Sequence, residues 1–173
     1  SGLENRNRYL CLQSLYKLLP QFDSVYPAIA LANPQAHFGF IRESSDAVTQ
    51  VFRERLDAAF KAVDLEASDY VTIYPRLAQL EFYGLAKSAD VILDSMLWSG
   101  NNSSMEASAF GRPIVTLAGP MMRGRHTLAI LRRAGVEDTV VASVEDYIAL
   151  AAELGQNPEK RAEITTKILA AHD

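Results

Sequence analysis

The stretch Leu93–Val115, "LDSMLWSGNNSSMEASAFGRPIV", gathers residues suited to holding an anion. An apolar run ends in Asp94. Small polar residues follow, then a helix-like segment with one glutamate, Glu106, then Gly-x-Pro and a second apolar run. Gly100 permits tight backbone geometry and close approach of a ligand. Ser99, Asn101, Asn102, Ser103 and Ser104 offer capping side chains and small hydroxyl or amide donors. The first N–H groups of a helix are unpaired and its dipole favours negative charge there, so the turn is built like a phosphate cradle. Glu106 lies three residues after Ser103, one turn further on and close to the same face. A carboxylate there is poorly placed for phosphate and well placed to accept hydrogen bonds from vicinal hydroxyls, such as those of a ribose. Phosphate at the cap and diol at the carboxylate together describe a nucleotide. The same S-x-x-E spacing also suits a capping box, with Ser103 as cap and Glu106 reaching back to it; the two roles are compatible.

The surrounding sequence must place that turn. Short apolar runs alternate with longer helical patterns. Strands are expected at Arg8–Leu12, Ala36–Arg42, Tyr70–Pro75, Asp90–Asp94, Pro113–Ala118 and in "TVVAS". Between them, "FDSVYPAIALAN" is helix-like, with Pro27 starting or kinking it. "DAVTQVFRERLDAAFKAVDL" repeats apolar residues at a 3.6-residue rhythm, with Asp46 as its cap. "LAQLEFYGLAKS", "SMEASAF" and "RHTLAILRRAG" are helices, the last closed by Gly135. Two more, near Val144–Leu154 and Pro158–Ala171, finish the chain. Strand-helix alternation predicts an α/β fold, a Rossmann-like three-layer parallel sheet of six strands with helices on both faces. In such sheets ligands bind beyond the carboxyl ends of the strands, which is where the "SGNNSS" turn falls.

The 173 residues suit a single domain with a sizeable core, and 49% apolar with 22% charged residues is an ordinary globular balance. A net charge of −4 argues against a nucleic-acid partner, and no apolar run is long enough to span a membrane. One cysteine, Cys11, excludes an internal disulfide and fits a reducing, cytoplasmic setting. His37, His126 and His172 lie far apart without metal-ligand spacing, so no metal cofactor is expected. Ser1-Gly2 reads as a cloning remnant.

Two segments carry a family resemblance. "SADVILDSMLWSGNNSSMEASAFGRPIVTLAGPMMRGRHTLAILRRAGVEDTVVASVEDYIALAAELGQNPEKR" (Ser88–Arg161) and "YLCLQSLYKLLPQFD" (Tyr9–Asp23) resemble, in the right order, the C-terminal catalytic half of the O-GlcNAc transferase and SPINDLY-like family. The likeness is strongest to bacterial members that follow tetratricopeptide repeats. It implies the GT-B fold, in which two Rossmann-like domains face each other across a cleft and the C-terminal one holds the nucleotide-sugar donor. The donor implied is UDP-GlcNAc or, in SPINDLY relatives, GDP-fucose.

The resemblance also implies roles. Gly100, Asn101, Asn102 and Ser103 fall on the family's helix-cap residues, which contact the donor diphosphate, and Glu106 falls on its ribose ligand. Position 101 departs from the pattern: bacterial relatives usually carry Gly there and animal enzymes His. Gln13, Ser14, Leu15, Tyr16 and Lys17 match the Q-x-L-[YF]-K segment, whose lysine touches the diphosphate and offsets charge on the leaving nucleotide. "RLAQLEFYGLAK" resembles the segment beside the base; Phe82 or Tyr83 would stack on it and backbone at Arg76–Leu77 would read its edge, with a core role as the alternative for either aromatic. Arg125 matches an arginine seen across the family. His126 is read as structural. The expected partners are the nucleotide-sugar donor, a protein acceptor, and the N-terminal catalytic domain and repeat region of a parent chain; inversion without metal is the implied chemistry. UDP-GlcNAc 2-epimerases share the architecture and a similar turn but lack a "YLCLQSLYK" opening segment. A scaffold domain that binds no nucleotide is the third reading.

Overall fold

The computed structural model describes residues 5–171; Ser1, Gly2 and His172 lie outside the described residues. Six short strands form one parallel sheet: β1 (Asn7–Leu10), β2 (Ala36–Ile41), β3 (Val71–Tyr74), β4 (Val91–Leu93), β5 (Ile114–Leu117) and β6 (Val140–Val141). Their order is β3-β2-β1-β4-β5-β6. The helices are α1 (Val25–Ala32), α2 (Asp46–Lys61), α3 (Ala67–Tyr70), α4 (Gln79–Lys87), α5 (Asn102–Ala109), α6 (His126–Arg133), α7 (Val144–Gln156) and α8 (Pro158–Ala170). Among the described residues no helix is long and apolar enough to cross a membrane.

Alternate strand residues feed two separate cores, as a sheet covered on both faces requires. On one face Tyr9, Phe38, Phe40, Val91 and Leu93 pack against Ile29 of α1, Phe52, Leu56 and Phe60 of α2, and Tyr147 and Leu154 of α7. On the other face Leu10, Leu12, Ile92 and Ile114 pack against Ala86 of α4 and Ala107 of α5. The first core is rich in aromatic edge-to-face contacts, for example Phe40 to Phe52 at 4.9 Å between ring centroids. Each buried Phe contributes about 2 kcal/mol through the surface it removes from water.

Local chemistry explains where the elements begin. Ser45, not Asp46, caps α2: its hydroxyl accepts from the Val48 N–H, and Asp46 is the first helical residue, where a negative charge favours the dipole. Pro27 stands third in α1, where no intrahelical N–H bond exists to be lost, so it starts the helix without kinking it. Asn157 and Pro158 open α8 together, the Asn157 side chain accepting from the Lys160 N–H at 2.9 Å. Gly135 ends α6 at φ +67°. Several boundaries differ from the sequence reading: among them, β1 stops at Leu10, β6 is two residues long, and the one-turn helix α3 consumes Tyr70 before β3 begins.

The topology fixes where a ligand crevice opens. The chain runs outward from β1 through β2 to β3, then returns to the other side of β1 for β4, β5 and β6. The helices that follow β1 and β4, α1 and α5, therefore pack on opposite faces although the strands are neighbours, with Tyr9 beside Val91 and Leu10 beside Ile92. This is the switch point at which doubly wound sheets bind ligands.

Candidate functional site

Two loops meet at that crevice. The first, after β1, carries Gln13 and Ser14 and leads into a 3-10 turn at Leu15–Lys17. Glu43, just beyond β2, pins this turn by accepting the Leu15 N–H at 3.0 Å. The second runs from Asp94 to Asn101 and ends in α5. Gln13 links them: its Nε2 donates to Ser103 Oγ at 2.5 Å, while its Oε1 accepts from Lys17 Nζ at 3.2 Å. Gln13, Lys17, Gly100 and Ser103, far apart in sequence, are thus one cluster.

Gly100 is required by space. A Cβ there would collide with Ser104 Oγ and Gln13 Nε2 and sit 3.0 Å from Ser103 Oγ. The α5 N-terminus lies against this point. Asn101 is its cap residue, yet its side chain makes no capping hydrogen bond. Ser103 does not cap the helix, which begins at Asn102. Nor does Glu106 reach back to the cap: its carboxylate accepts from Tyr83 Oη at 3.3 Å. The capping-box arrangement is therefore replaced by a contact between α5 and α4, and among the described residues no side-chain hydrogen bond occupies the first-turn N–H groups of α5.

Beneath the turn lies a polar network that sequence reasoning left unassigned. Asp94 is buried, and its two oxygens accept from the Gly100 N–H and Thr116 Oγ1, each at 2.7 Å. Burial pushes its carboxyl up to about 6, against the pull of these hydrogen bonds. Ser99 accepts the His126 N–H at 2.9 Å and donates to the Arg123 carbonyl, fastening the turn to the start of α6. His126 is thereby tied in through its backbone. Burial also pushes the neighbouring Cys11 thiol up to about 12, so it stays protonated at neutral pH.

A cleft of about 210 Å³ flanks the cluster on the side of β2 and α4, lined by Leu12, Gln13, Ser14, Arg76, Leu77 and Phe82 among others. Phe82 is half-buried against the second core and also forms a wall of the cleft. Tyr83 lies away from that lining. Its ring meets Phe110 edge-on at 5.4 Å and its hydroxyl faces Glu106. Beside Lys17 stands the partly exposed Trp98, with Lys17 Nζ at 5.8 Å and Arg123 Cζ at 5.4 Å from its ring centroid. Arg125 is not drawn into the cluster: its guanidinium donates to the Gly119 carbonyl at 3.2 Å, and its side chain lines a separate groove along α6.

The sequence signal for Asp94 was present, since an acid closing an otherwise wholly buried apolar strand demands partners. Glu43 and Trp98 gave no comparable signal; their roles depend on which elements become neighbours.

The open parallel sheet, with a bare helix N-terminus and a lysine converging at its switch point, defines a Rossmann-like domain of the GT-B glycosyltransferase class. The chain belongs to glycosyl transferase family 41, whose model matches residues 8–173. It is 29% identical over 83 residues to the UDP-N-acetylglucosamine--peptide N-acetylglucosaminyltransferase of Caenorhabditis elegans, a match spanning 48% of this chain and 7% of that protein. A mutant O-GlcNAc transferase of Thermobaculum terrenum superposes with a TM-score of 0.85 at 26% identity, covering 99% of this chain and 32% of that one. The UDP-GlcNAc 2-epimerase of Neisseria meningitidis bound to UDP-GlcNAc shares the fold, with a TM-score of 0.63 at 16% identity over 94% of this chain and 39% of that one. The chain thus spans well under half the length of each of these relatives.

Proposed function

We propose that this domain binds the nucleotide-sugar donor, UDP-GlcNAc, for an inverting protein O-glycosyltransferase of the cytoplasm that needs no metal ion. The observation that carries the reading is the junction of Gln13 and Lys17 with the uncapped α5 N-terminus at Gly100, within a family 41 domain. In this arrangement the base occupies the cleft beside Leu77 and Phe82, Glu106 accepts hydrogen bonds from the ribose hydroxyls, and the diphosphate lies over Gly100, Asn101, Asn102 and Ser103. Ser14 stands at the border of cleft and turn. Arg125 supports the donor side only through the Gly119 backbone.

Transfer breaks the bond between the sugar's anomeric carbon and the diphosphate oxygen as an acceptor hydroxyl attacks from the opposite face. Negative charge then builds on the departing diphosphate. Lys17 Nζ and the first N–H groups of α5 stabilise that charge more strongly in the transition state than in the bound donor, which is how they accelerate the step. The contacts to the acceptor protein and the base that takes its proton are assigned to the partner domain of a parent chain.

Thermal-shift titration of the chain with UDP, GDP and ADP tests the reading. Stabilisation by UDP, retained in excess EDTA and reduced in Lys17→Ala and Glu106→Ala, is the expected result. No shift with any nucleotide at millimolar concentration would leave a scaffold domain; free ManNAc as the product of the parent chain, in place of modified protein, would make it an epimerase.

A further inference from the structure

Asp94 has no role in the donor contacts described above, yet the segments that shape the turn converge on it. One oxygen takes the Gly100 N–H at 2.7 Å, and the other takes Thr116 Oγ1 of β5 at 2.7 Å. Thr127, near the start of α6, donates its hydroxyl to the Gly100 carbonyl at 3.3 Å and lies 2.8 Å from Ser104 Oγ. From α7, Tyr147 donates its hydroxyl to the Asp94 main-chain carbonyl at 2.8 Å. Both polar ends of residue 100 are therefore fixed, the N–H by Asp94 and the carbonyl by Thr127.

The consequence is directional. With the Gly100 N–H turned inward, the chain must swing outward at Asn101, which adopts φ −122° and ψ −85°, and α5 starts there with its cap position bare. A buried carboxylate is costly unless hydrogen bonds compensate it, and here those bonds orient the backbone that precedes the helix. We propose that Asp94 is the positioning residue of the diphosphate site: by holding the Gly100 peptide inward, it leaves the first N–H groups of α5 open to the donor's phosphates. The proposal rests on the donor-binding reading. What the turn needs from Asp94 is an acceptor at one fixed place, not its charge. Asparagine can supply the same acceptor to Gly100 while its amide donates to Thr116, whose hydroxyl is free to rotate.

The test compares two probes, UDP or GDP (whichever the unsubstituted chain binds more tightly) and the matching nucleoside, by NMR titration. Asp94→Ala should weaken the nucleotide by about tenfold or more, the loss expected when a buried N–H is stripped of its acceptor, while the nucleoside changes much less. Asp94→Asn should restore most of the nucleotide affinity, and it replaces Asp94→Ala as the informative variant if the alanine protein does not fold. Unchanged nucleotide affinity in Asp94→Ala, or a parallel loss of both probes in Asp94→Asn, would overturn the assignment. Failure of the unsubstituted chain to bind any nucleotide would instead defeat the donor reading itself.

Discussion

The two flanks of the crevice are built by different means. On the turn flank, Ser99, Ser104, Thr116 and Thr127 are nearly or fully buried, and each hydrogen bond among them closes on Asp94, on Gly100 or on the α6 entrance. On the cleft flank, Arg76, Ala78, Gln79 and Leu80 are exposed, Leu80 at 83%, and α4 contributes only Ala86 as a fully buried residue. A satisfied polar network in a low-dielectric interior has one good arrangement, whereas a loosely packed, exposed wall has several. The turn is thus the rigid flank of the crevice, and the cleft wall is the adaptable one.

Substitutions should expose this contrast. The largest effect is expected at Gly100: an added Cβ must displace Ser104 or Gln13, and Gly100→Ala should abolish measurable nucleotide binding, a loss of ~3 kcal/mol or more by calorimetry. Lys17→Ala and Glu106→Ala each remove a charge-assisted contact and should weaken UDP by about tenfold, the lysine effect shrinking as salt is raised. A matching loss from Phe82→Leu would erase the difference between the flanks. The expectation there is about threefold or less, together with a changed preference among UDP, GDP and ADP. Tyr83→Phe should be the mildest, because its hydroxyl bond to Glu106 is long at 3.3 Å.

Asp94 adds a pH-dependent prediction on the rigid flank. Burial raises its folded value to about 6 from 3.8, so between these values the folded chain keeps a proton that the unfolded chain has released. The stability this supplies is full below the lower value and is lost as pH rises through the upper one. The melting temperature of the unsubstituted chain, measured against Asp94→Asn, should therefore gain as pH falls from neutral to about 4. A difference independent of pH would mean that Asp94 titrates as an ordinary aspartate.

The contrast also sorts what the sequence made legible. Strands were readable because burial on both faces leaves uninterrupted apolar runs such as Val91–Leu93, and the turn stood out because Gly100 and its small polar neighbours follow such a run. Lys17 was reached only through family resemblance; its local sequence is that of an ordinary surface lysine. The start of α5 was misplaced by two residues because Asn and Ser both favour helix ends, and the choice among them fell to contacts with Gln13 and Thr127. Glu106 facing Tyr83 is a contact between non-adjacent segments, and local spacing pointed instead to a capping box.

The bond between Gln13 and Ser103 joins residues 90 positions apart in the chain. A diphosphate gripped by both loops would act as a reversible staple across that span, sparing the folded state the entropy of keeping the two halves of the sheet in register at their shared seam. Amide exchange should then slow in β1 and β4 alike when nucleotide is added, although no ligand atom need touch either strand.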